Sequence, residues 1–98
     1  MGLQKNIAPF SNWKNGAKLL TTSAQKISAV VLECRAVRVM AKSTNTGIIM
    51  VGSENVSTDN YTIFLNAHES TDIEVEDVSK VFAIAAVGGE GVNFSYVN

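Results

Sequence analysis

Few side chains in this sequence are chemically reactive, and their spacing argues against a reaction. Cys34 is the one cysteine and His68 the one histidine in 98 residues. A catalytic thiol needs a base or a positive field beside it to hold the thiolate. Arg35 and Arg38 could supply charge, but nothing in the spacing places His68 beside Cys34. Cys34 borders an apolar run and reads as a small buried hydrophobe. A lone cysteine also excludes an intrachain disulfide. His68 falls in Asn66-Ala67-His68-Glu69-Ser70, a turn by composition, and reads as an exposed residue in an unusual φ.

The oxygen-bearing side chains fare no better as ligands. Glu54 and Asp59 lie in the polar loop Ser53–Asn60, but a calcium loop needs several oxygens at fixed offsets around a glycine turn. Glu69, Asp72, Glu74, Glu76 and Asp77 crowd into nine positions and read as a solvated strand edge. Asn55, Asn60 and Asn93 each open an N-glycosylation pattern, which carries no weight without a secretory signal. No paired carboxylates, nucleophile–base pair or metal spacing appears. The expectation is therefore a non-enzyme with no catalytic residue, no metal and no cofactor.

Contact chemistry is better represented. Ile7, Phe10 and Trp13 are spaced three apart in the polar, Asn-rich segment Met1–Asn15, where Pro9 and the following Asn and Gly argue against a stable helix. We expect this segment to be an N-terminal arm (residues 1–15) ahead of a single domain (residues 16–98). The arm either folds over the domain's own open end or docks on a neighbouring subunit, and Trp is the residue most enriched among interface anchors. Ile7, Phe10 and Trp13 are the candidate partner-binding residues.

Charge bounds the partners. Eight basic and nine acidic residues leave a net charge of −1, without the basic footprint of a nucleic-acid binder. The acidic run 69–77 faces, in sequence terms, an N-terminal quarter holding Lys5, Lys14, Lys18 and Lys26. Beyond simple solvation, that asymmetry permits head-to-tail complementarity between copies. No window is long and apolar enough to span a membrane. The start MGLQKNIAPFSN lacks the apolar stretch of a signal peptide, and Asn6 stands where a myristoylation motif has Ser or Thr. A reducing cytoplasm is the expected place of synthesis.

The elements that carry these residues read as strands. Val81–Val87 and Val92–Tyr96 flank Gly88, Gly89 and Gly91, a pattern expected to form a C-terminal hairpin at the centre of the fold. Val81–Val87 lacks alternation, as in a strand covered on both faces or a short buried helix. Val92, Phe94 and Tyr96 alternate with Asn93 and Ser95. Cys34–Lys42, with Val37, Val39 and Ala41 facing one way, is expected to pair with Ile48–Val51 across the turn Ser43–Gly47. Ala17–Leu20, Gln25–Val31, Tyr61–Leu65 and Thr71–Val75 complete the set. Tyr61, Ile63 and Leu65 should share a face, and Ile73 and Val75 should point inward. Seven or eight short strands predict an all-β fold, a small antiparallel sandwich or jelly roll with an N-terminal arm. Local pattern does not encode strand order, so it leaves those two topologies open.

Four stretches together carry a resemblance: LTTSA at Leu20–Ala24, TGIIMVG at Thr46–Gly52, LNAHES at Leu65–Ser70 and DVSKVFAIAAVGGEGVNFSY at Asp77–Tyr96. In this order and spacing they resemble a group of small virion proteins of tailed bacteriophages. Each motif alone is only a strand or turn signature. The resemblance implies a β-sandwich component of the particle: a head decoration, cement or minor structural protein, or part of a fibre or tail. It implies no enzyme and no cofactor. It also implies synthesis in a host bacterial cytoplasm, residence in the virion, and contact with the major capsid protein or other virion proteins, with homo-oligomers, trimers among them. A carbohydrate- or receptor-binding module on the same fold is the alternative of a different class, with Tyr61, Tyr96 and Trp13 as its candidate aromatics. The chain departs from the pattern at His68, where the group has a turn glycine, and Met1–Asn15 lies outside it.

Overall fold

Alternation along two long central strands of one sheet builds the core. In Ala36–Ala41, Val37, Val39 and Ala41 are buried while Arg38 and Met40 face out. In Gly91–Val97, Val92, Phe94 and Tyr96 are buried and Asn93 is exposed. Side chains of period two on a pleated ribbon place one set against a second sheet and the other in water. The computed structural model describes residues 14–97. Over that range there are eight strands: β1 (Lys14–Leu19), β2 (Gln25–Lys26), β3 (Ala36–Ala41), β4 (Ile49–Gly52), β5 (Ile63–Leu65), β6 (Ser70–Ile73), β7 (Phe82–Ala85) and β8 (Gly91–Val97). A single 3₁₀ turn, Val78–Lys80, precedes β7.

The strands form two four-stranded antiparallel sheets, ordered β1-β8-β3-β6 and β2-β7-β4-β5. The pairing is nested. β4 pairs with β5, β3 with β6, β2 with β7 and β1 with β8. The chain is thus one long hairpin with its apex in the β4–β5 loop, rolled so that successive rungs fall alternately on the two sheets. The pairs β3–β8 and β4–β7 close each sheet. This is the jelly-roll topology, and it resolves the choice that local pattern leaves open. Loops 20–24, 42–48, 66–69 and 86–90 gather at one end, and loops 27–35, 53–62 and 74–81 at the other.

Both expected hairpins are corrected by this order. β7 and β8 are each central in a sheet, as expected of the stretch the fold is built around, but in different sheets. β3 and β4 likewise lie in different sheets. The turn residues reverse the chain in both places. A tight two-residue turn would force side-by-side pairing. Segments 42–48 and 86–90 are longer and cross the roughly 10 Å between packed sheets instead. β3 then finds its partners in β6 and β8, and β7 in β2 and β4.

Other boundaries shift for local reasons. β1 starts at Lys14, so Lys14 and Asn15, which the sequence assigns to the arm, already pair with Tyr96 and Ser95. β2 stops at Lys26 rather than Val31, because the Ser28 hydroxyl donates to the Val30 carbonyl at 2.7 Å and accepts its N–H, turning the chain out of the ladder. Val30 and Val31 are exposed in the loop that results. β5 starts at Ile63, so Tyr61 lies ahead of it, exposed, rather than sharing a strand face with Ile63 and Leu65. The candidate residues Ile7, Phe10 and Trp13 lie outside the described residues.

Two cores result. The main one, between the sheets, holds Leu20, Ile27, Val37, Val39, Ile49, Leu65 and Val92, among others. A smaller one lies on the outer face of the second sheet, where Val56 from the β4–β5 loop folds back over Met50 and Ile84. That second cluster explains why β7 lacks alternation. Ala83 and Ala85 face the main core, and Ile84 faces the satellite.

Candidate functional site

Cys34 sits just before β3, buried, and its Sγ donates to the Val75 carbonyl at 3.1 Å. Burial pushes the thiol up from its ordinary value, and the Asp77 and Glu76 carboxylates push it further. The sulfur is therefore a protonated donor that ties the start of β3 to the β6–β7 loop. His68 is at the other end of β3, its N–H bonded to the Ala41 carbonyl. At about 3.3 Å per residue, roughly 20 Å separate the two side chains. His68 is exposed with φ 74°, the only non-glycine positive φ among the described residues.

The acidic run is mostly taken up by the fold itself. Glu69 accepts from Asn66 N–H at 2.8 Å and from its side-chain amide, closing the β5–β6 turn. Asp72 and Arg38 form a bidentate pair on the outer face of the first sheet, Oδ1–Nε 2.6 Å and Oδ2–Nη2 3.0 Å. That bond holds the Asp72 carboxyl below the usual carboxylate range. Glu76 pairs with Lys80 at 2.6 Å. Asp77 caps the 3₁₀ turn, accepting from Ser79 N–H and Oγ, and from the N–H of Leu32 across the loop. Those bonds, the Ser79 N–H foremost, lower its pKa. Glu74 alone of the five has no side-chain partner among the described residues.

One polar constellation escapes sequence reasoning. The Glu90 carboxylate accepts from Thr46 N–H at 2.6 Å, Thr46 Oγ1 at 2.8 Å and Gly47 N–H at 2.9 Å. The backbone bonds from Gly47 and Thr46 lower its pKa. Beside it, the buried Asn45 side chain mimics a peptide group, donating to the Gly91 carbonyl at 2.9 Å and accepting the Gly91 N–H at 3.1 Å. Together they lock the β3–β4 crossing to the β7–β8 crossing. Asn45, Thr46, Gly47, Glu90 and Gly91 all belong to stretches whose composition signals only turns. Nothing local shows that the two turns meet.

The loop Ser53–Asn60 satisfies itself, with Ser53 Oγ donating to Asn55 Oδ1 at 2.7 Å and Asn60 Nδ2 to the Asn55 carbonyl. Among the described residues, no group of three His, Cys, Asp or Glu side chains is placed to hold a metal ion. Nor does any described helix have the length and apolarity to cross a membrane.

What remains is surface. The sandwich is open at the β5–β6 edge, where a groove of about 410 Å³ runs between the sheets. Ile63, Ile73, Val75 and Val81 line it, with Asp72, Glu74 and Lys80 on its rim. It lies between the two edge strands β5 and β6, of three and four residues. Beside it Tyr61 and Phe64 form an exposed edge-to-face pair, ring centres 6.2 Å apart. Tyr96, by contrast, is buried and stacks on Phe94.

The opposite edge has the opposite sign. By register with Tyr96 and Val92, Lys14 and Lys18 lie on the inward face of β1, and Lys26 stands on the adjoining edge strand β2. Inward lysines keep an exposed edge from unspecific pairing. One edge of the jelly roll therefore carries three lysines, and the other carries Glu74 beside the Arg38–Asp72 pair and Lys80. The chain matches no family model, no curated protein and no solved structure.

Proposed function

We propose that this protein is a non-enzymatic structural component of a tailed-bacteriophage particle, a capsid decoration or cement protein that binds the head shell through its β domain and N-terminal arm. The observation that carries the reading is a jelly roll with an apolar groove open at its β5–β6 edge and lysines along its β1–β2 edge. Such a body is suited to lie beside copies of itself or against a repeating shell. Weak contacts repeated over a symmetric lattice add through effective concentration. The motif resemblance to small virion proteins points the same way, and jelly rolls recur in viral capsid domains.

Purified heads lacking the protein provide the test. The full chain should occupy them at regular lattice positions seen by electron microscopy, and a chain lacking residues 1–13 should not. Equal occupancy by both would remove the arm from the reading, and no occupancy by either would remove the reading itself. The exposed Tyr61–Phe64 pair supports a second reading, a glycan-binding module of a fibre or tail. Under it, the chain would bind host-cell surface glycans and not heads, and Tyr61→Ala would abolish that binding.

A further inference from the structure

We propose that the β5–β6 groove is the seat for the N-terminal arm of a second copy of this chain, with Ile7, Phe10 and Trp13 entering it. The inference rests on the assembly reading above and names the surface that would carry it.

Three features of the groove select such an occupant. Its lining includes Ile63, Ile73 and Val75, half-buried on inner-sheet surface that no strand covers, and its 410 Å³ lies in the range of about 300–1,000 Å³ typical of ligand sites. Its walls are the free edges of β5 and β6, whose unpaired backbone groups can receive an extended segment by strand addition. Its rim carries Glu74, without a side-chain partner among the described residues, facing an arm that brings Lys5 and is rooted at Lys14.

The position of the root favours a second copy over the same one. The arm joins the fold on β1, and β8 and β3 lie between β1 and β6. To reach its own groove the arm must cross three strand spacings, roughly 14 Å, and round the loops at that end of the sandwich. Between copies set edge to edge the crossing vanishes. The lysines of the β1–β2 edge of one meet Glu74 on the β5–β6 edge of the next, and the arm root arrives beside the groove. The contact is head-to-tail, so it closes only as a ring, a trimer being the smallest that avoids a two-fold interface.

Trp13 is the only tryptophan in the chain and reports its own docking. Emission of the purified full chain, with no shell present, should shift to the blue as concentration rises, in step with the mass measured by light scattering. Glu74→Lys on the exposed rim and Phe10→Ser on the arm should each move that midpoint to roughly tenfold higher concentration, and added salt should weaken the association. Glu74 is exposed, and far-ultraviolet dichroism checks that both variants are folded. Emission that stays red at every concentration overturns the proposal. So does a blue shift independent of concentration in a monomer, which would mean docking within one chain. A concentration-dependent shift indifferent to Glu74→Lys places the arm elsewhere and overturns the site. Docking without head binding would sink the assembly reading and leave this one standing; head binding without docking would do the reverse.

Discussion

At Glu90 one carboxylate answers three donors from a loop more than forty positions away in sequence, and its protonation is linked to folding. Its folded pKa is depressed, so the stabilisation is fully present above the ordinary carboxylate range and is lost as pH falls through the depressed value. Glu90→Gln turns one acceptor into a donor aimed at the donors of Thr46 or Gly47. The variant should be less stable than the parent at neutral pH, and the gap should close on acidification, which urea melts at a series of pH values would measure. A gap that holds constant down to strongly acidic pH would show that the bond contributes nothing through its charge. At His68 the cost is in the backbone. A left-handed conformation costs an L-residue about 1–2 kcal/mol, while glycine adds unfolded-state entropy of roughly 0.5–1 kcal/mol. His68→Gly should therefore be neutral or stabilising by up to about 1 kcal/mol, and the β-branched His68→Val destabilising, in equilibrium denaturation. The turn in which His68 stands is legible from composition, and so is the tolerance for unusual φ. The Glu90 clamp is not, because its meaning depends on a meeting of two turns that no window of sequence contains.

At the scale of elements, glycines mark where strands approach too closely for a side chain. A Cβ on Gly91 would overlap the Lys18 carbonyl on β1, which cannot move without leaving the ladder, whereas Gly88 faces open space. Gly91→Ala should destabilise by about 1–3 kcal/mol, in line with other overpacked sites, and expose amide protons of β1 to exchange. Gly88→Ala should leave both unchanged. Loss of equal size at the two positions would mean that turn flexibility, not the β1–β8 approach, is what glycine provides there. The same stretch shows what periodicity can deliver. The inward sets of β3 and β8, and the inward Ile73 and Val75, follow from alternation, because burial on one face is a local pattern. The partner of a strand is not local. Turn composition at 43–47 and 88–91 encodes a reversal, and a reversal serves a hairpin and a sheet-to-sheet crossing equally well. The groove was illegible for the same reason: Ile63 and Ile73 read as ordinary core residues until strand order places them at an unclosed edge.

The whole molecule is a set of nested pairings, and nesting makes a kinetic statement. β4 meets β5 with Ile49 opposite Leu65, a short closure. β1 meets β8 with Lys14 opposite Tyr96, a closure of nearly the entire chain. Closing a loop costs entropy that grows with its length, so the outer rungs become affordable only once the inner ones are in place. Folding should begin at the β4–β5 apex with its Val56 lid and proceed outward, finishing with β1. Val51→Ala removes buried methyl groups beside the apex and should slow folding, with a φ-value above one half. Gly91→Ala disturbs only the outermost pairing and should speed unfolding at an unchanged folding rate. Stopped-flow chevrons on the two variants decide the matter. If Gly91→Ala slows folding and Val51→Ala does not, the sheet that holds β1 and β8 forms first, and the nested order describes the finished topology but not the route to it. An outermost strand that is last to form is also first to release, so β1 should open before the other described strands.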